Sequence, residues 1–206
     1  MTRDRAALVS WGLRLNSITI AYNVVEAIVS LAAGLVAGSA ALIGFGIDSV
    51  IEVTASGAAR WRLNAELDAT QRGQVERTTA RIIAWSFLAL AAYVTYDGLT
   101  SLSFHERPEK STVGVAMLAL SVVVMPLLAR AKRGIARALR SGALAGESRQ
   151  TSLCAYLSAI ALVGVGLNAT VGWWWADPAA ALAMVPIIAG EGIGGLRRAR
   201  LMRLPR

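Results

Sequence analysis

Ser17-ITIAYNVVEAIVSLAAGLVAGSAALIGFGIDSVIEVTASGA-Ala59 decides the fold: these 43 residues hold three acidic side chains, Glu26, Asp48 and Glu52, and no Lys or Arg. As a single α-helix the stretch would extend about 65 Å, twice the hydrocarbon thickness of roughly 30 Å. It has to fold back on itself. Gly38-Ser39 is the natural break, a flexible residue followed by a helix N-cap, and it leaves spans at 17–37 and 40–59.

Outward from this hairpin, further apolar runs lie at 82–104, 112–129, 145–172 and 178–196. They are separated by the polar stretch His105 to Ser111, the basic stretch Arg130 to Arg140 and the segment Gly172 to Pro178. The fold class is therefore all-α, a polytopic membrane protein built as a six-helix bundle. Pro126 is expected to close the fourth span, and Asp177-Pro178 to open the sixth as a carboxylate N-cap followed by proline at the first helical position. The first apolar run is full length and continues into a second, so no cleavable signal is expected. The chain divides into an N-terminal segment 1–16, a six-span domain 17–196 and a basic tail 197–206.

Composition agrees with this class. The 206 residues are 55% hydrophobic and 17% charged, with a mean hydropathy of +0.53, whereas soluble domains carry about 25% charge. A nucleic-acid binder with a net charge of +8 would carry it on a polar chain, so no nucleic-acid partner is expected. One cysteine, Cys154, and one histidine, His105, exclude an internal disulfide framework and a His/Cys-rich metal cage. Any metal chemistry must lean on carboxylates. Gly190 to Gly195 has no preceding strand and carries no dinucleotide site, and no nucleophile and base pair points to an enzyme.

Charge also orients the chain. Nineteen Lys and Arg fall on the side of the termini and the even-numbered loops, against Arg107 and Lys110 on the other, so the positive-inside rule places both ends in the cytoplasm of a cell-membrane protein. The stretch 130–140 reads as an interfacial helix drawn to anionic lipid of the surrounding bilayer. Trp173-Trp174-Trp175 marks the opposite interface, and Gly34-x-x-x-Gly38 allows close helix packing.

An ionised acid in the bilayer costs about 2.5–3.5 kcal/mol even on lenient scales, so each intramembrane carboxylate asks for a partner or a task. Asp48 and Glu52, four apart, project from one face of span two, with Ser56 continuing the stripe. Their mutual repulsion is relieved by a proton or by a divalent cation between them. Helix rise places Glu52 roughly 12 Å from the inner surface, Asn23 and Glu26 of span one at roughly 9–14 Å, and Cys154 at roughly 14 Å. Glu147, Gln150, Thr151, Cys154 and Ser158 form a stripe on span five, so three helices aim polar faces at one layer. For Cys154 core packing is the competing reading, and for Asn23 and Glu26 helix bridging. Asp97, near Tyr93 and Tyr96, is either a vestibule residue or a hydrogen-bonded anchor at the outer end of span three. Glu191 is expected to snorkel to the inner interface. His105, Glu106 and Glu109 read as a solvated loop.

Asn23-Val24-Val25-Glu26, Asp48-Ser49-Val50-Ile51-Glu52 and Gly172-Trp-Trp-Trp-Ala-Asp177-Pro178, set on six spans, resemble the cation diffusion facilitator family over about residues 15–196. The resemblance implies a tetrahedral zinc-type site made by two acids of span two and a pair four apart on span five, with metal efflux coupled to proton entry. Residue by residue it assigns Asp48, Glu52, Gln150 and Cys154 as metal ligands, where the family carries His or Asp followed by Asp on span five. Asn23, Glu26, Glu147, Thr151 and Asp97 are additional candidate lining residues. The partners implied are a divalent cation as transported substrate, protons, and a second copy of the chain paired through membrane helices, because only Arg197 to Arg206 stand where the family's cytosolic domain would follow; no tightly bound cofactor is implied. The alternative reading is a non-transporting membrane scaffold or metal sensor that keeps this fold.

Overall fold

The computed structural model describes residues 2–64, 69–139 and 142–201. Arg140, Arg203 and Arg206 of the basic clusters lie outside the described residues, as do the side chains of Arg3, Arg5, Arg62 and Arg72. Six helices follow in order: α1 Thr2–Ala37, α2 Ala40–Asn64, α3 Ala69–Ser103, α4 Thr112–Leu139, α5 Gly142–Val171 and α6 Ala176–Leu201. Each contains a stretch long and apolar enough to cross a bilayer, Ser10–Ala37, Ala40–Gly57, Ala80–Ser103, Thr112–Ala138, Glu147–Val171 and Ala176–Leu201. The six expected spans are all present.

The side-chain pattern is that of a protein whose solvent is lipid. On α1, Asn16, Thr19, Asn23, Glu26 and Ser30 recur at spacings of three and four and are all buried, while Ile18, Val25, Ile28 and Leu35 are exposed. Polar groups inside and apolar groups outside is the arrangement a bilayer enforces, since nothing in hydrocarbon can satisfy an outward-facing polar side chain.

Helix α1 packs on α2 and α4, α4 on α5, and α5 on α2, which closes a ring of four helices; α3 and α6 pair with each other and lean on α2 and α5. One close approach fixes the α1–α2 crossing. A Cβ on Gly34 would lie 2.8 Å from the Ile43 side chain and 2.9 Å from its backbone nitrogen, so the α1–α2 hairpin closes only over glycine, as the Gly34-x-x-x-Gly38 spacing suggested for its first member. Gly38 serves differently: with φ at 64° it makes the left-handed turn that ends α1, and Ser39 Oγ accepts from the Leu42 N–H to start α2.

Two expected boundaries are corrected. Helix α4 does not close at Pro126 but runs on to Leu139. Proline removes one intrahelical hydrogen bond, and the turns beyond it are held by tertiary burial, with Ala129, Lys132 and Ala136 buried on one face. Residues 130–139 of the stretch are thus the end of α4, with Arg130, Arg133 and Arg137 exposed and Lys132 facing inward, and not a wholly interfacial helix. Asp177 stands in the first turn of α6 without capping it. Its carboxylate accepts from Ser39 Oγ and, at 3.2 Å, from the Ala41 N–H, so it caps α2 and ties the α1–α2 hairpin to the start of α6.

Candidate cation-binding site

The four-helix ring encloses two adjoining polar clusters. In the first, Glu26 of α1 accepts from Ser49 Oγ of α2 at 2.6 Å, from Ser121 Oγ of α4, and from Cys154 Sγ of α5 at 3.6 Å. Tyr22 OH completes this shell at 2.8 Å from Ser121 Oγ. Asp48 and Glu52 interact with each other, with Glu26 and with Cys154, so one thiol faces three carboxylates. Glu26, Asp48, Glu52 and Cys154 are each at most 4% exposed.

The second cluster is centred on Glu147, about two turns before Cys154 along α5. Glu147 Oε1 accepts from Asn16 Nδ2 at 2.6 Å, from Lys132 Nζ at 2.9 Å and from Ser56 Oγ at 3.2 Å. Lys132 also donates to Thr151 Oγ1 at 3.2 Å, and Thr151 donates to Glu52 Oε1 at 2.7 Å, which joins the two clusters through one hydroxyl. Glu52 Oε2 and both amide atoms of Asn23, which lies beside Glu52, are buried without a hydrogen-bond partner.

Charge decides what this interior can do. Glu26, Asp48, Glu52 and Glu147 share one buried lysine, and Glu147 holds it in an ion pair. Among the described residues none of the three carboxyls around Cys154 forms an ion pair, although the charge of Lys132 also reaches Glu52, and unpaired buried charges cost several kcal/mol each in a low-dielectric interior. They are compensated by protons or by a cation. Carboxylate oxygens with one thiolate suit borderline divalent ions of the zinc type. Among the described residues no three His, Cys, Asp or Glu side chains stand in finished ligating geometry, and Glu26 and Glu52 are engaged instead by serine and threonine donors.

The expected residues divide between these clusters and the periphery. Asp48, Glu52 and Cys154 meet, with Asn23 and Glu26 beside them and Glu147 and Thr151 adjoining. Gln150 lines a separate cavity of about 200 Å³ between α3, α5 and α6, with Phe87, Glu191 and Arg198, and its Nε2 has no hydrogen-bond partner. Asp97 lies at the far end of α3, interacting with Asp177 and Glu106. Glu191 forms a part-exposed ion pair with Arg198 at 3.2 Å. The exposed His105 ring tilts against Trp174, and Trp173 stacks on Trp175.

Lys132 escaped the sequence reading because it sits in a run of surface-like arginines. Its signal was positional: Leu118, Ser121, Met125, Ala129, Lys132 and Ala136 recur at spacings of three and four and are all buried, so a single basic residue interrupts an otherwise inward stripe. Ser49, Ser121 and Asn16 were missed for a simpler reason, since small polar residues inside apolar helices bond equally well to their own backbone.

A search of curated proteins finds no match for the chain. Residues 17–201 match the model of the cation efflux transmembrane domain, and the chain belongs to that family of membrane cation transporters.

Proposed function

We propose that the chain exports a zinc-type divalent cation from the cytoplasm in exchange for protons, with Asp48, Glu52 and Cys154 as the central ligands and Glu26 as a fourth donor. The observation that carries the reading is the convergence of three buried carboxyls on Cys154, with the nearby lysine already claimed by Glu147. Metal binding displaces protons from these groups, and protons entering from the outside drive release. Gln150 of the expected set lines the separate cavity toward α6, and its unpartnered amide supports a role outside the central ligand set.

The excess of basic residues beside the termini supports cytoplasmic ends and a cell-membrane location. Pairing of two copies through membrane helices belongs to the same proposal. Reconstituted vesicles holding a metal-sensitive dye test the function: an imposed proton gradient should drive uptake of at least one of Zn, Mn, Fe, Co or Cd. Absence of flux for the whole panel would favour the scaffold or sensor reading and refute export.

A further inference from the structure

Lys132 is fully buried, and what surrounds its ammonium is a cradle of oxygens. Glu147 Oε1 receives three donors at once, from Lys132, Asn16 and Ser56, while Glu147 Oε2 is buried with none. Asn16 Oδ1 is likewise buried without a donor, although its amide nitrogen is bonded to Glu147. Buried acceptors are rarely left empty, because each forfeits its hydration. The cradle thus has more oxygen capacity than one ammonium fills.

We propose that Glu147, Asn16, Thr151 and Ser56 form a second cation site, made of oxygen donors alone, in which the Lys132 ammonium is a tethered occupant that a divalent ion displaces. Four helices supply it: Asn16 from α1, Ser56 from α2, Lys132 from α4, and Glu147 and Thr151 from α5. Because it contains no sulfur or nitrogen ligand, it suits hard ions such as Mn²⁺ or Mg²⁺ better than soft ones. Its relation to the first cluster is direct, since Thr151 Oγ1 accepts from Lys132 and donates to Glu52 Oε1. An ion held by Glu147 is one hydroxyl away from the carboxylates of the central cluster. The inference rests on the export reading for the direction of travel, not for the ligand set.

Mn²⁺ titration of the full chain in lipid nanodiscs, followed by electron paramagnetic resonance, tests it. Lys132→Met removes the competing ammonium and keeps a side chain of similar length, so at a Mn²⁺ concentration that leaves this site of the parent chain mostly unfilled, bound Mn²⁺ should rise by up to about one ion per chain, and adding Glu147→Gln should abolish the gain. In an Asp48→Asn background the gained ion should persist. Loss of the original ion in Asp48→Asn reports on the central site alone, so failure of the export reading and failure of this inference give different results. No gain in Lys132→Met overturns the proposal. Should Lys132→Met be aggregated without metal, Mn²⁺ must restore a monodisperse protein, because an ion that binds the folded state stabilises it. Failure of that rescue, with Lys132→Met/Glu147→Gln well folded, also overturns it.

Discussion

Gly164 and Gly166 lie two residues apart on α5, and the structure assigns them opposite responses to the same added methyl group. A Cβ on Gly164 would stand 2.3 Å from the Ala180 Cβ and 2.7 Å from the Ala176 carbonyl oxygen, whereas a Cβ on Gly166 meets nothing within 4 Å. Carbon atoms rest at about 3.5–4.0 Å, so Gly164→Ala forces a separation of roughly 1 Å. Neither obstacle can rotate aside, since one is a methyl fixed to its backbone and the other is backbone itself. The α5–α6 contact must therefore open, at the roughly 1–3 kcal/mol typical of overpacked cores. Gly166→Ala makes no clash and gains up to about 1 kcal/mol of helix propensity. Thermal unfolding of the two variants in detergent, followed by tryptophan fluorescence, should place Gly164→Ala below the parent and Gly166→Ala at or above it, at about 2–4 °C per kcal/mol for a chain of this size. Cys154 lies ten residues away on the same helix, so metal uptake should fall in Gly164→Ala and not in Gly166→Ala. Equal melting temperatures for both variants would show that α5 and α6 do not cross at Gly164.

Asp48→Asn should reduce metal-dependent flux in vesicles at least 100-fold while the protein stays monodisperse; wild-type flux would remove Asp48 from the ligand set. Cys154→Ser should weaken Cd²⁺ and Zn²⁺ binding by tenfold or more and Mn²⁺ by much less, since a hydroxyl is a harder and poorer ligand than a thiolate, whereas Gln150→Ala should shift all three less than threefold. Calorimetric titration checks the pair, and identical profiles for both variants would contradict the placement of Cys154 in the central cluster and Gln150 in the separate cavity. Asp177→Ala removes two hydrogen bonds that cap α2, at about 1–3 kcal/mol, and should lower the melting temperature. An unchanged melting temperature, with unaltered protection of the Ala41 amide from hydrogen exchange, would count against the inter-helix cap.

Sequence alone determined the class and most of the ground plan, because the bilayer acts on composition and length directly. A run of 43 residues without a basic side chain can only be a hairpin of spans, and Gly38-Ser39 supplies its turn. The inward stripes of α1, α2 and α5 were legible too, since helical period carries Asn23 with Glu26, Asp48 with Glu52, and Thr151 with Cys154 onto common faces. Partnership between helices is a different matter, for spacing along one helix says nothing of which neighbour it meets. Only the tertiary structure placed Ser49 and Ser121 on Glu26, turned Gln150 toward Glu191 and α6, and sent the Asp177 carboxylate to the start of α2. It likewise carried α4 past Pro126, because burial of the following turns outweighs one missing backbone hydrogen bond. Lys132 shows the division most clearly: its charge places it in a run of surface arginines, yet the face of α4 on which it falls packs against α5, where Glu147 and Thr151 receive its ammonium.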